Sequence, residues 1–162
     1  MLFRSGQTGI ANSMNGGAQT ISAGGVGTVS ALQGGTQAVL TGGTAANTTI
    51  NGGTQNIASG GTALATEVSG GIMQLASGGI VSGLTMSGGS LELSAVGGGS
   101  FAINGTLTAT SAGIDMTDHS LTGYRSVTHP DYETLTIDKL SGSGNTFIMD
   151  TDLGSNNATP CA

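Results

Sequence analysis

Acidic residues in the second half of the chain come nearest, in type and spacing, to a catalytic or metal-binding site. Asp115 and Asp118 lie close to His119, while Asp150 and Asp152 occupy alternate positions of one predicted strand. Paired carboxylates perform acid–base chemistry in enzymes that cleave polysaccharides, and carboxylates together with His bind metal ions. Both groups are small, and Asp residues at strand ends usually face solvent. We therefore interpret them as surface residues.

The other patterns that suggest chemistry are equally sparse. His119 and His129 lack a further ligand at an ordered spacing, so they are interpreted as surface histidines. The glycine-rich turns lack the Asp residues of calcium-binding GGxGxD repeats, and the SGSGN segment 141–145 lacks the strand-to-helix context of a phosphate loop. The sequence predicts no catalytic residue, no metal site, no cofactor and no enzymatic activity. A polysaccharide-active enzyme is the alternative.

A short row of threonines raises a third class, the ice-binding proteins, which need flat and regular arrays of Thr. Thr106, Thr108 and Thr110 alternate along one segment. The columns of the preceding repeats mix Thr with Ala, Ile and Ser, so the pattern does not favour ice binding.

Ten glycine pairs divide the chain into the repeating segments that must position these residues. Up to Gly88 the steps between successive pairs alternate between 8 and 10 residues, so every second pair recurs after 18 residues, as from Gly16 to Gly34. A fixed period of about 20 residues is typical of a solenoid, in which the chain winds one turn again and again. The pairs begin at Gly16, Gly24, Gly34, Gly42, Gly52, Gly60, Gly70, Gly78, Gly88 and Gly97.

Five copies of the repeat fill residues 13–102, and residues 1–12 match the second part of a further copy, with Phe3 at its ninth position. Each copy offers two short strands and two glycine corners, because glycine adopts positive φ without steric cost. The second and ninth positions never hold a polar residue, which predicts inward rows of a stacked core. These rows are Met14, Leu32, Ile50, Val68 and Met86, and Ile21, Val39, Ile57, Leu75 and Leu93. The prediction is an all-β parallel β-helix (β-solenoid).

The seventh position of the repeat has two interpretations. Gln19, Gln37 and Gln55 align there. Stacked amides can form a hydrogen-bonded ladder from coil to coil. The alternative is that these are polar surface residues whose alignment follows from the repeat alone.

The spacing of the glycine pairs changes near residue 97. Residues 103–158 are predicted to be an incomplete cap of the solenoid, followed by an unstructured tail at 159–162. In residues 132–140 Leu135 and Ile137 share one face, and after a turn a second strand follows at 146–149. These strands form either a hairpin or two sides of one larger coil. The candidate cap residues are Tyr124, Tyr132, Leu135, Ile137, Leu140 and Phe147.

Charge and hydropathy exclude several function classes. The net charge is −6 with three basic residues, which argues against binding nucleic acid or anionic lipid. No apolar run is long enough for a membrane-spanning helix, and the first residues lack the apolar stretch of a secretory signal. Because Cys161 is the single cysteine, an internal disulfide is excluded.

Two segments resemble a known family. The repeat INGGTQNIASGGTALAT at 50–66 resembles the passenger repeats of AIDA-type self-associating autotransporter adhesins of Gram-negative bacteria. The segment LTGYRSVTHPDYETLTIDKLSGSGNTFIMDTDLGSNNA at 121–158, and within it TLTIDKLSGSGNTF at 134–147, resembles the autochaperone region that follows such repeats. The resemblance extends over nearly all of residues 1–158, and it is most specific where the repeats are followed by the second segment.

The resemblance implies a right-handed β-helix, similar to pertactin and pectin lyase and exposed on the cell surface, in which each copy of the repeat forms one coil. It implies aggregation, adherence or biofilm formation, with a second copy or a host-cell surface as partner. Some members carry heptose on Ser and Thr, so glycosylation is included among the expectations. Because signal peptide and outer-membrane barrel are missing from this sequence, we interpret the chain as a passenger fragment, with a non-functional truncated remnant as the alternative.

Overall fold

The computed structural model describes residues 2–3, 6–94, 99–116 and 133–149, and this part of the chain consists of β-strands and turns without a helix. Every pairing between strands is parallel, so the prediction of a parallel β-solenoid is confirmed. The strands are β1 (Leu2–Phe3), β2 (Thr8–Ile21), β3 (Val26–Val39), β4 (Thr44–Ala46), β5 (Thr49–Ile50), β6 (Thr54–Ile57), β7 (Thr62–Val68), β8 (Ile72–Ala76), β9 (Ile80–Met86), β10 (Ser90–Ser94), β11 (Gly99–Thr110), β12 (Gly113–Met116), β13 (Glu133–Ser143) and β14 (Thr146–Met149).

The register of the sheet follows the sequence repeat. Thr44 pairs with Thr62, and Thr54 pairs with Ile72, so equivalent positions of successive copies lie side by side. Phe3 pairs with Ile21, which agrees with its assignment to the ninth position of an earlier coil. One turn of the solenoid therefore corresponds to one copy of the repeat.

Each coil contributes to three faces of the sheet. The coils from β7 onward contain two strands each, as the sequence predicted, whereas the coil of β4, β5 and β6 contains three. The β4 face comprises residues 26–28 of β3, β4, and the segments paired with them in β7, β9, β11 and β13, namely residues 62–64, 80–82, 99–104 and 133–137. The β6 face comprises residues 36–39 of β3 together with β6, β8, β10, β12 and β14. A narrow face, formed by β5 and its paired segments 31–32, 67–68 and 85–86, lies between them.

The extra corner between the β4 face and the narrow face lacks a glycine pair, so the sequence did not predict this bend. The chain bends there at residues with positive φ: Asn47 at 53°, Ala65 at 51° and Gly83 at 70°. Asn and Gly tolerate this left-handed conformation, whereas Ala adopts it at a steric cost. In these three coils a single residue, which varies in type, therefore makes this corner.

In the corner pair Gly60–Gly61 the two glycines are needed for different reasons. Gly60 has a φ of 72°, which favours glycine over any residue with a Cβ atom. Gly61 has no such φ, but a Cβ atom there would lie 2.5 Å from the backbone oxygen of Val39 in the preceding coil. One glycine thus turns the chain, and the next lets two coils approach closely.

The two apolar columns line the inside of the solenoid. All of their members except Met14 are at most 1% exposed, and Met14 is partly buried against the same core. The fifteenth position of the repeat also points inward, and its residues grow along the axis: Gly27, Ala45, Ala63 and Val81, followed by Ile103, which pairs with Val81.

The seventh position is also inside, so the interpretation of its glutamines as surface residues was wrong. Gln19, Gln37 and Gln55 are at most 1% exposed. Gln37 Nε2 donates to Gln19 Oε1 at 2.5 Å, and Gln55 Nε2 donates to Gln37 Oε1 at 2.6 Å. The column continues with Met73, Leu91 and Ile114. The solenoid interior is therefore a polar ladder in its first coils and apolar in its later ones.

The segment predicted as a cap continues the same sheet. β13 pairs in parallel with β11, and β14 pairs in parallel with β12, so these strands are two sides of one larger coil and not a hairpin. Asn145 joins this coil to the preceding one, since its Nδ2 donates to the backbone oxygen of Ala109 at 2.8 Å. The boundary predicted at residue 103 lies within β11. Residues 150–162, including the predicted tail, lie outside the described part of the chain.

Candidate functional site

The described carboxylates of the middle coils lie on the outer surface of the sheet. Glu92 on β10 pairs in register with Asp115 on β12, and both side chains are half-buried on the β6 face. Gln74 Nε2 donates to Glu92 Oε2 at 2.9 Å. This is an acidic pair on an open sheet face, whereas a glycosidase needs carboxylates on opposite sides of a bound sugar.

The other residues first considered for chemistry are only partly within the described structure. Among the residues that the structure describes, no group of three or more His, Cys, Asp or Glu residues has the arrangement of a metal site. No described segment is a helix long and apolar enough to cross a bilayer. The remaining candidates, Asp118, His119, His129, Asp150, Asp152 and Cys161, lie outside the described residues.

A groove of about 670 Å³ runs along the corner between the β4 face and the narrow face. Its volume falls within the range of small-molecule sites. Glu67 is the one carboxylate among its described lining residues, so a two-carboxylate mechanism has no second member here. The lining residues are Ala65, Thr66, Glu67, Gly83, Thr85, Thr106 and Thr108.

The threonine row of β11 lies beside mixed neighbours. Thr106 pairs with Lys139, and Thr110 pairs with Ser143. Only Thr108 has a threonine beside it, namely Thr85. This arrangement is not the flat, repeated Thr array that the ice-binding alternative needs.

Uncharged polar residues line the corner that follows the narrow face. The third position of the repeat lies there and holds Asn15, Gln33, Asn51, Ser69 and Ser87, all exposed. Ser69 Oγ donates to Asn51 Oδ1 at 2.5 Å, from one coil to the next. This corner therefore presents a row of hydrogen-bonding groups at the spacing of the coils.

The β4 face combines small polar residues with exposed apolar ones. Leu64 on β7 is 38% exposed and Ile80 on β9 is 44% exposed. Sequence reasoning missed this pair, because the same columns hold Thr, Ser, Ala, Val or Asn in the other coils. The available signal was that Leu and Ile depart from those small residues in adjacent copies. The outward residues of this face on β3, β4, β7, β9 and β11 are Val26, Thr28, Thr44, Ala46, Thr62, Leu64, Ile80, Ser82, Ala102 and Asn104.

The candidate cap residues occupy different environments. Leu135 and Ile137 are partly buried and pack against the core. Leu140 and Phe147 are 49% and 41% exposed, although they pair with the buried Leu107 and Ile114. Tyr124 and Tyr132 lie outside the described residues.

In comparisons with protein-family models, with curated proteins and with solved structures, no match to this chain was found.

Proposed function

We propose that the chain is a non-enzymatic adhesive module, part of the passenger of a bacterial surface adhesin that promotes aggregation, adherence or biofilm formation. One observation carries this proposal: stacked coils repeat short, uncharged side chains at one spacing over a long outer surface. Only Glu67 and Glu92 are charged within residues 13–94. Like-charged repulsion, which usually keeps soluble proteins apart, is therefore weak along the repeats.

Repetition supplies the strength that single contacts lack. A hydrogen bond between two exposed groups contributes about 1 kcal/mol net. Parallel strands repeat at about 4.8 Å, so the same contact recurs with every coil along the axis. Many copies on one cell surface then bind another cell with avidity.

The proposed location is the outer surface of a Gram-negative cell, with a second copy or a host-cell surface as partner. The resemblance of residues 50–66 and 134–147 to adhesin passengers supports this location. Modification of exposed Ser and Thr hydroxyls by heptose is part of the same proposal.

The test displays the full chain on bacteria through a heterologous autotransporter barrel, next to cells that display the barrel alone. We expect the chain to accelerate the settling of cells and to increase their attachment to host cells and to plastic. Equal settling and attachment in the two strains would overturn the proposal. Depolymerisation of polysaccharide by the displayed chain would establish the enzyme alternative instead.

A further inference from the structure

We propose that two copies of the chain associate through their β4 faces, each packing the outward side chains of this face against the same face of the other. This inference rests on the proposed adhesive function and names the surface that carries it. Three features of the β4 face support it: two exposed apolar residues, the absence of charge among its outward residues from β3 to β11, and its size.

Leu64 and Ile80 form one exposed apolar patch. They lie on the neighbouring strands β7 and β9, and Ile80 pairs with Thr62, two residues before Leu64. Diagonal neighbours of this kind are about 7 Å apart, within contact of long side chains. Their outer neighbours are small, since Leu64 pairs with Ala46 and Ile80 with Ala102. The side chains of Leu64 and Ile80 therefore project beyond their short neighbours, where a partner can bury them.

Charge favours a second copy as the occupant. None of the outward residues of the β4 face named above is charged. Glu92 and Asp115 lie on the β6 face, and Glu67 lies on the narrow face. Because the chain has a net charge of −6, contact through either of those faces brings like charges together. A partner of opposite charge has no group to pair with among these outward residues of the β4 face.

The size of the face predicts a weak contact. Five coils at about 4.8 Å each, and strand segments of three residues, as in Thr44–Ala46, at about 3.3 Å per residue, give roughly 240 Å² per copy. Two copies then bury roughly 480 Å², well below the usual range for stable complexes. Such a contact is short-lived between free molecules and becomes effective when many copies face one another on two cells.

The test compares matched variants of the full chain. The variant Leu64→Glu/Ile80→Glu places two carboxylates on adjacent coils of the β4 face. The control Thr36→Glu/Thr54→Glu places two on adjacent coils of the β6 face. A third, uncharged variant, Leu64→Ser/Ile80→Thr, uses residues that the same columns hold at Ser82 and Thr62. Circular dichroism and thermal unfolding confirm that each variant is folded.

Self-association is measured by sedimentation equilibrium and by the settling of displaying cells. We expect both β4-face variants to weaken association at least tenfold and the control to leave it within twofold of the unmodified chain. Loss of association in the control, or its retention in the Ser/Thr variant, overturns the assignment of the face while the adhesive function stands. If neither measurement detects association of the unmodified chain, both the β4-face interface and self-association as the mode of adhesion are overturned.

Discussion

The side-chain amide of Gln37 donates a hydrogen bond to Oε1 of Gln19 at 2.5 Å, one coil away and inside the solenoid. Gln55 donates in the same way to Gln37, whose Oε1 also accepts from Thr48 Oγ1 at 3.4 Å. Burial of an amide is unfavourable unless its groups are paired. The middle member of this ladder is therefore the one on which the other two depend.

Replacement of Gln37 by Met tests the ladder as a unit. Met73 shows that this column accepts Met, so the variant keeps the packing but leaves Gln19 Oε1 and Gln55 Nε2 without partners. We expect a loss of about 2–4 kcal/mol in the free energy of unfolding, measured by urea denaturation. Replacement of all three glutamines by Met removes the unpaired amide groups and leaves Thr48 Oγ1 without its weak acceptor, so it is expected to cost about 1 kcal/mol. A triple variant less stable than the single one would contradict the account.

The apolar end of the ladder predicts unequal tolerance of a new amide. Met73 and Leu75 are both fully buried on β8, and Gln55 Oε1 is buried without a hydrogen-bond partner. Met73→Gln offers a donor to that oxygen, whereas Leu75→Gln lies in an all-apolar column. We expect Met73→Gln to cost about 1 kcal/mol and Leu75→Gln about 3 kcal/mol, compared by thermal unfolding. Equal losses of stability in the two variants would show that Gln55 Oε1 does not accept a hydrogen bond from the new amide at position 73.

The close approach at Gly61 predicts a severe effect of one methyl group. In Gly61→Ala the new Cβ atom meets the backbone oxygen of Val39, which cannot move without disturbing the neighbouring coil. We expect a loss of about 3 kcal/mol or more in the free energy of unfolding. Gly16→Ala is the control, because Gly16 lacks positive φ and no heavy atom lies within 4 Å of its added Cβ. It is expected to change stability by less than about 0.5 kcal/mol.

The third corner predicts a stabilising substitution. Ala65 adopts a φ of 51°, and the equivalent position in the next coil is Gly83. Ala65→Gly relieves the strain of the left-handed backbone conformation but increases the conformational entropy of the unfolded chain. We therefore expect the free energy of unfolding to rise by about 0.5 kcal/mol. Ala46→Gly, in the neighbouring strand segment, is expected to lose about 0.5–1 kcal/mol. A thermal melt in which Ala65→Gly is the less stable of the two variants would disprove this explanation of the corner.

The period of the glycine pairs predicted the coil, its register and the two apolar columns, because a stacked core repeats its inward residues at one spacing. The same period did not reveal that Gln37 is inside, since a polar residue repeats equally well on either surface. The side chain of Gln37 can be buried because it forms hydrogen bonds with Gln19 and Gln55, and the stacking of the coils places these glutamines side by side. The third corner was also missed, because Asn47, Ala65 and Gly83 share a backbone conformation and no side-chain type.

The surface was the least predictable part. Leu64 and Ile80 lie at outward positions where the other coils hold small residues, and a hydrophobic residue alone does not say which side of a strand it faces. The register through Ala63 and Val81, which are buried beside them, assigns Leu64 and Ile80 to the outside. The candidate interface therefore depends on the fold, and the fold depends on the repeat.

The most direct test of the central claim, adhesion through self-association, mixes two populations of bacteria that carry different fluorescent labels. When both populations display the full chain, we predict mixed clumps that contain both labels. When one population displays the barrel alone, we predict that its cells stay outside the clumps. Clumps that take up both kinds of cell equally, or no clumping in either mixture, would contradict the claim.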